Sequence, residues 1–237
     1  MKILAIGNSF SQDATRYLEK IAKANGDTAE IATLYIGGCS LDKHFRNMKI
    51  DAKAYELIWN GENTGFYVSI KEALLSREWD IITLQQQSLK SADFNTFEPY
   101  LTALNDYVKE LSPKSLIYLH ETWGYANNST KLEKTIYSSH THMYNDIEKS
   151  YKKAYEKIHA YGIIPCGKLI NTLHGEKKLD MHRDGYHLSY GLGRFAAGLL
   201  WYKVLYGKDP QVIPSYDLDE QVNQEDIQAV IESINNI

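Results

Sequence analysis

A parallel β-sheet covered by helices on both faces is the fold that the sequence predicts, and three observations predict it. Short apolar runs of strand length alternate with longer amphipathic stretches along the chain, the pattern of repeated βαβ units. Runs such as Lys2-Ile-Leu-Ala-Ile6 and Asp80-Ile-Ile-Thr-Leu84 are apolar on consecutive residues, as strands buried between two helix layers are. No internal repeat, low-complexity tract or Pro/Gly/Ser linker divides the 237 residues. Length alone leaves the choice between one domain and two open. The unbroken alternation favours a single domain over 1–237.

The elements follow in order. Lys2 to Ile6 reads as a strand ending in Gly7-Asn8-Ser9. Gln12 to Ala24 has helical spacing, with Ala14, Leu18, Ile21 and Ala22 on one face and Ser11 as N-cap. Thr28 to Tyr35 is the second strand, followed by the loop Ile36-Gly37-Gly38-Cys39-Ser40. Ala54–Asn60 and Gly65–Val68 flank Gly61-Glu62-Asn63-Thr64, a hairpin inserted near 54–68. A helix near Ser69 to Ser76 leads to the third core strand, Asp80 to Leu84, which opens into Gln85-Gln86-Gln87-Ser88. Phe97 to Leu111 is a helix stopped by Ser112-Pro113, and Ser115 to Leu119 a strand with a long loop from His120 to Ser139 behind it. Thr141 to Ala160 is helical, Gly162 to Pro165 a short strand. A further loop runs to His187, Ser189 caps a helix over Gly191 to Tyr206, and the acidic stretch Asp217 to Asp226 enters a last short helix.

Composition works by exclusion. At 43% hydrophobic and 24% charged, the chain is an ordinary globular protein. A net charge of −4 and a pI near 6.1 lack the basic field that nucleic-acid binding needs, so no nucleic-acid partner is expected. The most apolar stretch, Phe195 to Tyr202, stops at Lys203, well short of the roughly 20 residues a membrane helix requires. The apolar run after Lys2 is too short for the core of a signal peptide; the expectation is a cytoplasmic chain as it stands, or an exported one if a signal peptide has been removed. Two cysteines, Cys39 and Cys166, form neither a metal-ligand pair nor a disulfide framework. The aromatic balance is unusual, with 18 Tyr and 4 Trp against 6 Phe. Tyr and Trp join an apolar body to a hydrogen-bonding tip and suit a wet groove or interface.

In open parallel sheets, ligands bind outside the carboxyl ends of the strands. The chemically unusual residues gather in those loops: Gly7-Asn8-Ser9, Gly37-Gly38, Gln85 to Ser88, and the late Asp180-Met-His-Arg-Asp-Gly-Tyr-His187. Each has a plainer explanation. Ser is favoured in strand-to-helix turns, Asp184-Gly185 is a common turn pair, His187 can be a surface histidine, and Gly37-Gly38 can be a flexible loop. Their occurrence in this order on one edge of one sheet favours a shared site.

In its motifs the chain resembles the SGNH, or GDSL-like, hydrolases. Ile6-Gly7-Asn8-Ser9-Phe10-Ser11 looks like their nucleophile motif, Asp184-Gly-Tyr-His187 is similar to their Asp-x-x-His motif, and Gly38 matches their oxyanion-hole glycine. The likeness spans positions 7 to about 189. It departs after the third strand, where the family's Gly-x-Asn-Asp aligns with Gln85-Gln86-Gln87-Ser88, so that Gln87 or Gln85 stands for the oxyanion Asn. The Gly-Asn-Ser-Phe-Ser and Gln-rich motifs together look like a poorly characterised branch. The resemblance implies a three-layer α/β/α sandwich with a mostly parallel, flavodoxin-like sheet, and an esterase acting on small acyl esters, acetylated carbohydrate among them. No cofactor and no metal are expected.

The implied chemistry is self-consistent. A serine hydroxyl is a weak nucleophile at neutral pH and requires a base. His187 takes the Ser9 proton and returns it to the leaving alcohol, while Asp184 fixes the imidazole tautomer. Backbone N–H groups of Ser9 and Gly38, with the Gln87 side chain, receive the oxyanion. His44 is a candidate substrate contact or a surface histidine. Trp123, Tyr125 and Tyr186 are candidates for an aromatic substrate rim or for loop packing. His140-x-His142, His174 and His182 match no zinc spacing. The competing reading is a non-catalytic carbohydrate-binding or scaffold protein on the same fold. A nucleotide-binding reading is opposed by the lack of Gly-x-Gly-x-x-Gly and of a P-loop.

Overall fold

The computed structural model describes all residues, Met1 to Ile237. Its centre is β1 (Lys2–Gly7), whose residues after Lys2 are buried on both faces. β1 pairs in parallel with β2 (Glu30–Tyr35) on one side, Ile3 opposite Ile31. On the other side it pairs in parallel with β5 (Ile81–Leu84), Ile3 opposite Ile81. β6 (Leu116–His120) and β7 (Gly162–Ile164) continue outward in parallel. With β3 (Tyr55–Trp59) and β4 (Glu62–Val68), the full order is β4-β3-β2-β1-β5-β6-β7. Five parallel strands thus carry a two-strand antiparallel extension, β3 and β4. This is the α/β/α sandwich with a mostly parallel sheet that the sequence predicts.

The period-2 geometry of β1 divides the core. Ile3 and Ala5 face one helix layer, formed by α1 (Ser9–Thr15), α2 (Leu18–Ala24), α7 (Cys166–Ile170), α8 (Leu192–Tyr206) and α9 (Gln224–Asn235). Leu4 and Ile6 face the other, formed by α3 (Leu41–Lys49), α4 (Ile70–Leu75), α5 (Tyr100–Leu111) and α6 (His140–Ile158). α8 is buried almost all round from Phe195 to Tyr202, so its apolar surface needs partners on every side. Gly207, in the left-handed region at φ +67°, ends it.

Several boundaries differ from expectation for identifiable reasons. The first helix begins at Ser9, not Gln12, because the Asn8 side chain caps it by accepting from Phe10 N at 2.9 Å. Ser11, expected as the cap, is instead fully buried inside it. The predicted single helix to Ala24 breaks between Thr15 and Leu18 into α1 and α2. The hairpin turns at Asn60-Gly61, both with positive φ (48° and 82°). That pairing suits a tight two-residue turn, so β4 starts at Glu62 rather than Gly65. The stretch 166–176 is helical, α7 running into a π-turn over Asn171–Glu176, where a loop was expected. No helix is long and apolar enough to cross a membrane.

Candidate active site

Four strand ends and the loop before α8 converge at the carboxyl edge of the sheet. Ser9, the first residue of α1, presents its hydroxyl to His187, with Oγ 2.8 Å from Nε2. The His187 Nδ1–H donates to Asp184 Oδ2 at 2.7 Å, and Asp184 Oδ1 accepts the backbone N–H of His187 at 2.9 Å. With Nδ1 committed as donor, Nε2 carries the lone pair that faces Ser9. Partial burial pushes the Asp184 carboxyl up, but the hydrogen bonds from His187 outweigh it and hold the group below the ordinary carboxylate value. Ser9 belongs to the first turn of a helix, whose leading N–H groups have no intrahelical acceptor.

The loop carrying Asp184 and His187 is anchored from below by Asp13. This carboxylate is fully buried and accepts from Arg183 Nη1 at 3.0 Å, Arg194 Nε at 2.8 Å and the Leu188 N–H at 3.1 Å. Arg183 also donates to the Leu188 carbonyl, and His182 bridges Leu188 across the loop. Residues 182 and 188 are therefore tied together at the neck, with Asp184 and His187 in between. Sequence reasoning missed Asp13, since nothing in an α1 Asp signals a partner 170 residues away.

The three glutamines part ways. Gln85 is buried and commits both amide hydrogens internally, to Asn8 Oδ1 at 2.8 Å and to the Gln86 carbonyl at 3.0 Å. Gln86 is also buried, its Oε1 accepting from the N–H groups of Leu41 and Gln87, both at 2.9 Å. Gln87 alone lines the cavity beside Ser9; its Oε1 holds Lys90 N at 3.0 Å, and its Nε2 makes only a 3.4 Å contact with Ser88 Oγ. Gly38 lines the same cavity with φ +61°. A Cβ there meets nothing within 4 Å, so glycine is required for the left-handed backbone rather than for space.

The cavity holds about 250 Å³ and is walled by Tyr35, Tyr125, Tyr186 and Lys131 around Ser9 and His187. Tyr186 lies 4.0 Å from His187 between ring centroids, and the Lys131 ammonium sits 3.1 Å above the Tyr186 ring. Tyr125 and Tyr186 are thus brought to the site. Trp123 is not: it is fully buried, stacks on Phe10 at 4.0 Å and donates from Nε1 to the Tyr186 carbonyl at 2.8 Å, so it supports the rim from behind. His44 is likewise neither rim nor surface. It is fully buried in α3, 2.9 Å from Tyr55 Oη and 3.6 Å from Cys39 Sγ, and burial drives its pKa down to about 3. Tyr35 and Lys131 are wall residues beyond the candidates the motifs suggest; the end of β2 is where a wall residue is expected, whereas Lys131 carries no sequence signal.

His140, His174 and His182 pack together with ring centroids 4.7–5.7 Å apart, and His142 lies apart on the surface beside Ser138. No group of three or more His, Cys, Asp or Glu residues is arranged to hold a metal ion.

A family model described as a domain of unknown function, DUF4886, matches residues 2–233. Among solved structures, a DUF4886 family protein from Bacteroides uniformis is similar at 33% identity and a TM-score of 0.90, covering 100% of this chain and 93% of that one. A candidate SGNH hydrolase from Slackia heliotrinireducens is similar at 19% identity and a TM-score of 0.62, over 86% and 98% of the two chains. A candidate GDSL-like lipase from Parabacteroides merdae is similar at 17% identity and a TM-score of 0.57, over 87% and 96%. The last two are likenesses of fold. No curated protein matches the sequence.

Proposed function

The chain belongs to the DUF4886 family, and on its SGNH-hydrolase-like fold we propose that it is a serine hydrolase cleaving a carboxylic ester. The observation that carries this reading is the continuous line from Asp184 Oδ2 through His187 to Ser9 Oγ, closed by contacts of 2.7 and 2.8 Å. In the first half-reaction the Ser9 oxygen attacks the ester carbonyl while His187 Nε2 takes its proton. The C–O bond to the alcohol then breaks, and the His187 proton leaves with the alcohol. Water repeats the sequence on the acyl-Ser9 ester, releasing the acid and restoring the serine.

The developing oxyanion falls to the amides of Ser9 and Gly38 and to Gln87 Nε2, because Gln85 has no amide hydrogen left to give. Each such donor is worth about 10²–10³-fold in rate. A cavity of about 250 Å³ walled by tyrosines and one lysine suits a small acyl group on a polar alcohol, an acylated sugar among them. Hydrolysis of p-nitrophenyl acetate tests the reading. Wild type turns over and Ser9→Ala falls by orders of magnitude; equal rates for the two proteins sink it.

A further inference from the structure

Beneath the reacting atoms runs a buried chain of hydrogen bonds that joins the ends of four neighbouring strands. His120, the last residue of β6, lies with Nδ1 3.2 Å from Ser11 Oγ. Ser11 Oγ donates to Gln85 Oε1 at 2.6 Å, just beyond β5. Gln85 Nε2 donates to Asn8 Oδ1 at 2.8 Å, just beyond β1. Asn8 Nδ2 donates to the Cys39 carbonyl at 2.9 Å, in the loop after β2. His120, Ser11, Gln85 and Asn8 are all at most 2% exposed. Read from His120, every donor points the same way, an arrangement in which each bond polarises the next.

The two ends of this chain matter for chemistry. Asn8 Oδ1 also accepts the Phe10 N–H at 2.9 Å, so one amide side chain fixes both the turn that presents Ser9 and the carbonyl next to Gly38. Gly7 leaves the room: a Cβ on it would lie 2.1 Å from Ser11 Oγ and 2.7 Å from Gln85 Oε1. The chain thus ties the turn that holds Ser9 to the loop that holds Gly38. Catalysis needs that separation held in advance, since misplaced donors stabilise no charge.

We propose that Gln85 is a positioning residue which, by orienting Asn8, sets the distance between the Ser9 and Gly38 amides that receive the oxyanion. This rests on the reading of Ser9 as the nucleophile. An interaction realised only at the tetrahedral stage affects kcat and spares KM. Gln85→Glu keeps the acceptor for Ser11 and, in the ionised form favoured at high pH where its rates are read, removes the donor to Asn8. Asn8→Asp keeps the acceptor for Phe10 and removes the donor to Cys39.

The experiment compares wild type, Ser9→Ala, Gln85→Glu, Asn8→Asp and Ser11→Ala on p-nitrophenyl acetate, with circular dichroism melts of each. A short-chain alkylboronic acid serves as a mimic of the tetrahedral adduct. Gln85→Glu and Asn8→Asp are expected to lose kcat by about 10²-fold, the worth of one oxyanion donor, with KM held within about threefold. Boronate Ki rises in step with the kcat loss, and Ser11→Ala shows the same pattern more weakly. A purely structural role would lower the melting temperature without that proportionality. Wild-type kcat in Gln85→Glu, or a rise in KM alone, overturns the proposal. If Gln85→Glu does not fold, Asn8→Asp and Ser11→Ala decide by the same criteria. Wild-type activity in Ser9→Ala overturns the hydrolase reading itself, whereas a dead Ser9→Ala beside a fully active Gln85→Glu overturns the relay alone.

Discussion

At the scale of single residues, neighbouring positions of one kind do different work. Gln87 faces the cavity with a nearly free amide, and Gln85 lies buried with its amide fully used. Gln87→Ala is expected to cost about 10²–10³-fold in kcat with little change in melting temperature, checked by steady-state kinetics beside a thermal melt. In the proposed mechanism Asp184 differs from a fully buried carboxylate, because its side chain is 42% exposed and water shares its charge. Asp184→Asn should therefore lower kcat by less than the roughly 10⁴-fold typical of a buried Asp. A loss as large as that would mean the site closes further when substrate binds. That Ser9, Asp184, His187 and Gly38 meet at one edge of the sheet was legible because they stand in short motifs at the ends of readable strands and before α8. Which glutamine faces the cavity was not, since Gln85 and Gln87 are two residues apart and strand alternation would point them the same way; only the path of the loop beyond Leu84 separates them.

Among the elements, α1 carries both ends of the arrangement, with Ser9 at its start and Asp13 one turn further on. Asp13 binds two arginines whose side chains are only 18% and 11% exposed, so its removal strands buried positive charge. Asp13→Ala is expected to cost about 3–5 kcal/mol in chemical denaturation. It should also reduce kcat, because the neck of the Asp184–His187 loop loses its anchor; stability lost without any change in kcat would show that the loop holds its shape unaided. The parallel strands were readable from their apolar runs, and α5, α6 and α8 from helical spacing. α3 and the π-turn after α7 were not. The Leu41–Lys49 helix does carry Leu41, Phe45 and Met48 at helical spacing, but its nine residues are shorter than the window over which periodicity identifies a helix. The π-turn is held by its surroundings rather than by any local preference.

For the molecule as a whole, pH acts through groups that fold in their neutral form. Burial drives His120 down to about 3 and His140 to about 4, and lowers His182 as well as His44. The unfolded chain takes up these protons near pH 6.5 and the folded one does not, so stability falls as pH drops from about 6.5 toward 4. Glu121 works in the opposite sense. Burial lifts its carboxyl to about 8, so the folded protein keeps a proton that the unfolded chain releases above about 4.5, and stability falls as pH rises from there to 8. Melts across pH 4–9 should show an optimum between the two limbs, and Glu121→Gln should raise the melting temperature at pH 8 but not at pH 4. A wild-type melting temperature that is flat below pH 6 would contradict the histidine assignment. The burial of α8 has a consequence for synthesis on the ribosome. The core on one side of the sheet, where Ile3 and Ile31 of the strands meet Phe10 of α1 and Leu18 of α2, is completed by a helix encoded at 192–206, so most of the chain emerges before that core can close. A nascent chain stalled ahead of Leu192 would display it bare, and chaperone occupancy on such intermediates should drop once α8 clears the exit tunnel.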